Sequence, residues 1–146
     1  MIRFLFTANR NTALQPIEKV ASGGEMSRLM LALKALVVSH MQLPTIIFDE
    51  IDTGVSGAIA DKMGEIVTAL AAQLQVINIT HLPQVASKGD HHFFVYKEDT
   101  PSGTQTRIRE LTADERVTEI AKMLSGSAVT QAAIDQARLL LGSEAL

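Results

Sequence analysis

Two short apolar runs, each closing on residues that can carry charge, constrain this 146-residue chain more than any other feature. Thr45-Ile46-Ile47-Phe48 leads into Asp49-Glu50, and Val76-Ile77-Asn78-Ile79-Thr80 leads into His81. Between them Ile59, Met63, Ile66, Val67 and Leu70 recur at helical spacing, which predicts a helix with those residues on one buried face. Strand, helix and strand in that order predict a parallel pair joined by a right-handed crossover. Strands of this kind are usually covered on both faces, so both runs are expected to be buried on both sides. Ligands of such sheets sit beyond the carboxyl ends of the strands, so Asp49, Glu50 and His81 are expected to face one crevice.

The flanking sequence extends this frame. Met26, Leu29, Met30, Leu33, Leu36, Val37 and Met41 predict an amphipathic helix that starts near Ser22-Gly23-Gly24 and stops before Pro44. Ile2 to Phe6 reads as a short strand, with a polar loop over Asn9 to Thr12. Downstream, His92 to Lys97 and Thr106 to Leu111 predict a hairpin around Thr100-Pro101-Ser102-Gly103. Helices are expected over Asp114 to Leu124 and Val129 to Leu141, stopped by Gly126 and Gly142. The expected class is α/β: one domain over residues 1–146, with a parallel-strand core, flanking helices, and a C-terminal hairpin followed by helices.

Composition narrows the functional classes. A hydrophobic fraction of 47% with 20% charged residues suits a globular domain with a core. The net charge of -3 provides no overall basic footprint for nucleic acid. With no cysteine, disulfides and thiolate metal sites are excluded. The apolar start Met1 to Phe6 is too short for a signal peptide, and no run reaches membrane-spanning length. The expectation is a soluble intracellular protein.

The chemistry lies in three places. At Ser22-Gly23-Gly24, unpaired amides at a helix start favour an anion, and glycine lets the backbone approach phosphate oxygens closely. Ser22 as N-cap with Glu25 three residues on fits a plain capping box as well. Asp49 at a strand end suits Mg²⁺ and Glu50 suits a general base for an attacking water, although two solvated loop carboxylates would have the same sequence. His81 suits a donor to a phosphate, or a structural imidazole bonded to a loop carbonyl. His91 and His92 lack metal-like spacing and read as structural. Arg107, Arg109 and Arg116 read either as a local basic patch near the hairpin or as ordinary solvated arginines.

Taken together, these words resemble the ATP-binding cassette superfamily in its SMC-like branch. Ala21-Ser22-Gly23-Gly24-Glu25 resembles the signature motif, Ile46-Ile47-Phe48-Asp49-Glu50 a Walker B strand, Ile51-Asp52-Thr53-Gly54 a D-loop, and His81 a switch histidine. The longer runs Ala21 to Arg28, Phe48 to Gly57 and Thr80 to Ala86, with Arg107 to Leu111, Arg116 and Glu119 to Gly126, are similar to the RecN family of bacterial DNA-repair ATPases. The continuation Leu82-Pro83-Gln84-Val85-Ala86 favours that family over RecF-type or Rad-type heads.

The resemblance implies ATP and Mg²⁺ as cofactors. It makes Asp49 the metal-supporting residue, Glu50 and His81 the catalytic pair, and Ser22, Gly23, Gly24 and Glu25 a contact to ATP held by an opposing head. Asp52 would then lie at the dimer interface. It further implies a homodimer closed through an ATP sandwich, DNA as partner in double-strand-break repair, no membrane, and a cytoplasmic, nucleoid-associated location. No Gly-x-x-x-x-Gly-Lys-Ser/Thr loop and no sustained heptad occurs. The chain is therefore expected to be the C-terminal lobe of a head, Met1 an artificial start, and an N-terminal P-loop lobe its partner, without which it is inactive. The competing reading is a non-catalytic interaction lobe of another SMC-like or RecF-type repair protein.

Overall fold

The computed structural model describes residues 3–7, 11–17, 23–40, 43–126 and 128–142. In chain order, β1 (Leu5–Phe6) pairs antiparallel with β2 (Gln15–Pro16), followed by α1 (Gly23–His40), β3 (Thr45–Asp49), α2 (Gly57–Ala71) and β4 (Gln75–Ile79). Then come α3 (Pro83–Ala86), the strands β5 (Phe93–Thr100) and β6 (Gly103–Glu110), α4 (Ala113–Ser125) and α5 (Gln131–Leu140). The chain divides into two compact units, Met1–Thr80 and His81–Leu146, where the sequence reads as one domain. The physical reason is strand pairing: β3 pairs with β4 and β5 with β6, so each ladder closes inside its own unit.

In the first unit β3 and β4 run parallel, in the register Thr45 to Gln75 through Asp49 to Ile79. The β-branched content of both runs suits strands, and α2 is the connection that a parallel pair requires. Alternation separates two faces. Phe48 is fully buried on one, and the Lys34 ammonium of α1 lies 5.1 Å from its ring centroid. The other carries Ile47, Ile77 and Ile79, which are 56%, 45% and 51% exposed. The expectation of strands buried on both faces is thus corrected, because among the described residues the pair is covered on one side only.

Both helices of this unit correct the expected faces in the same way. In α1, Leu31 and Val38 are buried, whereas Met30, Leu33, Leu36 and Val37 are exposed. In α2 the buried residues are Ala60, Met63, Gly64 and Leu70, with Ile59 and Ile66 exposed. Apolar residues surround most of α1, so their spacing alone does not select the inward side.

The second unit is organised around a helical pair. Ile120 and Ala121 of α4 meet Ala133 and Ala137 of α5 in one buried cluster, flanked by Val117, Leu124 and Ile134. Thr112 opens α4 with a reciprocal capping box to Glu115, and Thr130 caps α5 by accepting the Ala133 N–H at 3.2 Å. Gly126 follows α4 and Gly142 follows α5, both at positive φ. The hairpin turns through Pro101-Ser102, with Thr100 opposite Gly103.

Candidate functional site

At and just beyond the carboxyl end of β3 stand Asp49, Glu50 and Asp52. Asp49 is the last residue of the strand and sits opposite Ile79 of β4, on the exposed face. Glu50 continues the ladder by one bond, its N–H donating to the Ile79 carbonyl at 3.0 Å. The chain then turns sharply: Glu50 has φ +46, in the left-handed region. For a residue with a Cβ this conformation costs about 1–2 kcal/mol, so the surrounding loop must hold it. Thr53 does so locally, its N–H and its hydroxyl both donating to the Glu50 carbonyl, at 3.2 and 2.9 Å. Ile51 and Val55 anchor the loop by burial, and the Val55 N–H donates to the Asp52 carbonyl at 3.2 Å.

Asp52, which the resemblance puts at a dimer interface, follows in the same loop. Its side chain is 1% exposed, and Oδ2 accepts a hydrogen bond from the Thr80 hydroxyl, the residue just after β4. This bond links the loop after β3 to the end of β4. Sequence reading missed Thr80 as its partner, because the pair is 28 residues apart.

The start of α1 approaches the same loop. A Cβ at Gly24 would stand 2.7 Å from the Gly54 carbonyl oxygen, so only glycine permits this approach of helix to loop. Gly23 and Glu25 lie in the first turn of α1. Ser22, the expected hydroxyl donor or N-cap, lies outside the described residues. The structure therefore sets Gly24 of the helix start against Gly54, in the loop that follows Asp49-Glu50. His81, exposed, opens the second unit directly after Thr80.

As a cation site, the strand end offers two adjacent exposed carboxylates, Asp49 and Glu50. Among the described residues no three His, Cys, Asp or Glu side chains cluster as a metal cage. That donor set fits Mg²⁺ of the kind held by one or two carboxylates together with substrate phosphates, rather than an all-protein site.

Arg107, Arg109 and Arg116 each have partners within the second unit, the first two in solvent-exposed ion pairs. Arg107 pairs with Glu98 at 3.0 Å and Arg109 with Glu115 at 2.9 Å. Arg116 donates to the carbonyls of Ser87, at 3.1 Å, and Asp90, at 3.2 Å, and to that of Gly89. The Arg109 guanidinium, then the Thr112 backbone N–H, hold the Glu115 carboxyl down to about 2. His91 pairs with Glu110 at 2.6 Å. His92 is half-buried, and burial, then the Arg116 charge, push its pKa below the ordinary value against the opposing pull of Glu119. Among the described residues no helix is long and apolar enough to cross a membrane.

No protein-family model matches the chain. Among curated proteins it is similar to the DNA repair protein RecN of Rickettsia conorii, with 46% identity over 140 residues, 96% of this chain and 26% of that protein. The DNA repair protein RecN of Bacillus subtilis is 43% identical over 141 residues, 97% of this chain and 24% of that protein. The chain thus spans about a quarter of the length of the curated relatives it matches. Among solved structures, a chain from work on ATP-driven dimerization and DNA-stimulated activation of SMC ATPases matches with a TM-score of 0.63 at 21% identity, covering 81% of this chain and 70% of that one. The Smc head domain with a coiled coil from Pyrococcus yayanosii matches with a TM-score of 0.63 at 22% identity, covering 75% of this chain and 20% of that one. The α/β class is borne out, and the fold is that of an SMC head lobe.

Proposed function

We propose, since this chain belongs to the RecN family of DNA repair proteins, that it acts as the C-terminal lobe of an SMC-type ATPase head and supplies the water-activating carboxylate for ATP hydrolysis. The observation that carries this reading is the Asp49-Glu50 pair at the carboxyl end of a parallel strand, with Glu50 held at φ +46 by the loop that follows. Glu50 takes a proton from the attacking water, as a general base positioned near a phosphate does. Asp49 holds Mg²⁺, which neutralises charge on the phosphate oxygens when bound. Ser22, with Gly23, Gly24 and Glu25 at the start of α1, contacts ATP held by an opposing head, and His81 senses the γ-phosphate.

ATP binding itself needs a P-loop half that this sequence does not contain. The half-exposed isoleucine face of β3 and β4 and the exposed apolar side of α1 are the surfaces on which such a half packs. In the whole protein two heads close around two ATP molecules and engage DNA in double-strand-break repair, in the cytoplasm and on the nucleoid. The test is Glu50→Gln in the intact protein. Turnover is expected to fall on the order of a hundredfold or more with ATP-dependent association retained. Unchanged turnover would remove Glu50 as the base.

A further inference from the structure

We propose that Asp52 and Thr80 are positioning residues for hydrolysis, through a part-buried hydrogen bond that fixes the Glu50 loop against the strand leading into His81. The proposal rests on the reading of Glu50 as base. It starts from a cost. A carboxylate withdrawn from water is disfavoured unless it is hydrogen-bonded, and an apolar side chain of similar size would fill the same space without that cost. Asp52 is nevertheless 1% exposed and engaged by the Thr80 hydroxyl. Packing alone does not account for an acid here, whereas a directional bond between two chain segments does.

The segments joined are the ones that matter for the chemistry. Asp52 lies two residues beyond Glu50, in a loop whose first residue occupies a left-handed conformation that a bulky side chain does not adopt readily. Thr80 is covalently adjacent to His81. The Glu50 N–H bond to Ile79 fixes the first residue of the loop against β4, and the Asp52 bond to Thr80 fixes the third. Burial of Ile51 and Val55 holds the body of the loop, and these two bonds to the β4 end set where its first and third residues stand. Loss of the Asp52 bond would loosen the placement of the Glu50 carboxylate. General-base catalysis depends on such placement, since a displacement near 1 Å can cost about a hundredfold in rate.

The experiment uses the intact ATPase and measures kcat, KM for ATP, ATP-dependent association and Tm for Thr80→Val, Thr80→Ser and Glu50→Gln. Valine keeps the shape and strand preference of threonine and removes the hydroxyl. Thr80→Val is expected to lower kcat on the order of ten- to a hundredfold while KM and association stay near wild type, the signature of a lost transition-state contribution. Thr80→Ser, which keeps the hydroxyl, restores turnover. Should Thr80→Val fail to fold, the double substitution Asp52→Leu with Thr80→Val replaces both partners by apolar groups, avoids an unpaired buried acid, and is expected to fold with the same low kcat. Wild-type kcat in any folded variant lacking the bond, or a serine variant as slow as the valine variant, contradicts the proposal. Those results alongside an inactive Glu50→Gln enzyme leave the base reading intact; wild-type turnover in Glu50→Gln removes both.

Discussion

The β3–β4 pair and the α4–α5 pair have comparable apolar content and complete their cores to different extents. In the helical pair an alanine-lined seam closes on itself, with both helix starts capped and a glycine after each helix end. In the strand pair one face is closed over Phe48, while the other leaves three isoleucines half in water. The helices beside the strands repeat the pattern, each showing apolar residues on an outward side. The difference is one of self-sufficiency. The helical pair has its own partner within the chain, whereas the strand pair carries the composition of a layer covered on both faces and has a cover on one. The carboxylates proposed for Mg²⁺ and water activation, Asp49 and Glu50, sit at the end of the incomplete element.

This contrast predicts how substitutions divide. The largest effect is expected from Ile120→Ala in the closed seam, which should cost about 2–5 kcal/mol by denaturant unfolding of the chain, and as much in the intact protein. A much smaller loss would mean that the seam is not closed. Gly24→Ala places a methyl group against the Gly54 carbonyl and should cost about 1–3 kcal/mol through forced displacement of the loop. Thermal unfolding without change would show that the close approach is not needed.

Smaller effects follow. Thr112→Ala removes the capping box and should cost about 1 kcal/mol, read from the denaturation midpoint. Acid should loosen the second unit in two stages. The His92 pKa is lowered on folding, so its contribution is present above pH 6.5 and is lost as pH falls below that value. The Glu115 carboxyl is lowered from 4.5 to about 2, so its contribution persists to pH 4.5 and is lost between there and about 2. A midpoint that rises on acidification across either window contradicts the corresponding assignment. The smallest effect is expected on the open face: Ile77→Thr should stay within about 0.5 kcal/mol in this chain alone. In the intact protein the same change should cost more, and equal costs in both would mean that nothing covers the face.

The same contrast explains which features the sequence disclosed. The hairpin turn at Pro101-Ser102 and the stops at Gly126 and Gly142 are local chemistry, and they stand where the residues predict them. The order of strand, helix and strand likewise fixed the parallel pair. The buried faces of α1 and α2 were misread because periodicity identifies an inward face only when the opposite face is polar, and here Met30, Leu36, Ile59 and Ile66 occupy it. The continuous runs of β3 and β4 were read as covered on both sides because composition records what a strand is built to contact, including surfaces that the described residues do not supply. The partners of Asp52 and the three arginines stayed hidden for another reason. These partners, Thr80, Glu98, Glu115 and the carbonyls of residues 87, 89 and 90, are set by tertiary approach and leave no spacing to detect.

The decisive measurement is ATP hydrolysis by this chain alone and after mixing with a separately produced P-loop lobe of the same family, with Glu50→Gln as control. A lobe that completes a head and contributes the base predicts no turnover alone, turnover in the mixture, and its loss on Glu50→Gln. Turnover that survives Glu50→Gln, or a stable complex of the two lobes that hydrolyses no ATP, would contradict it.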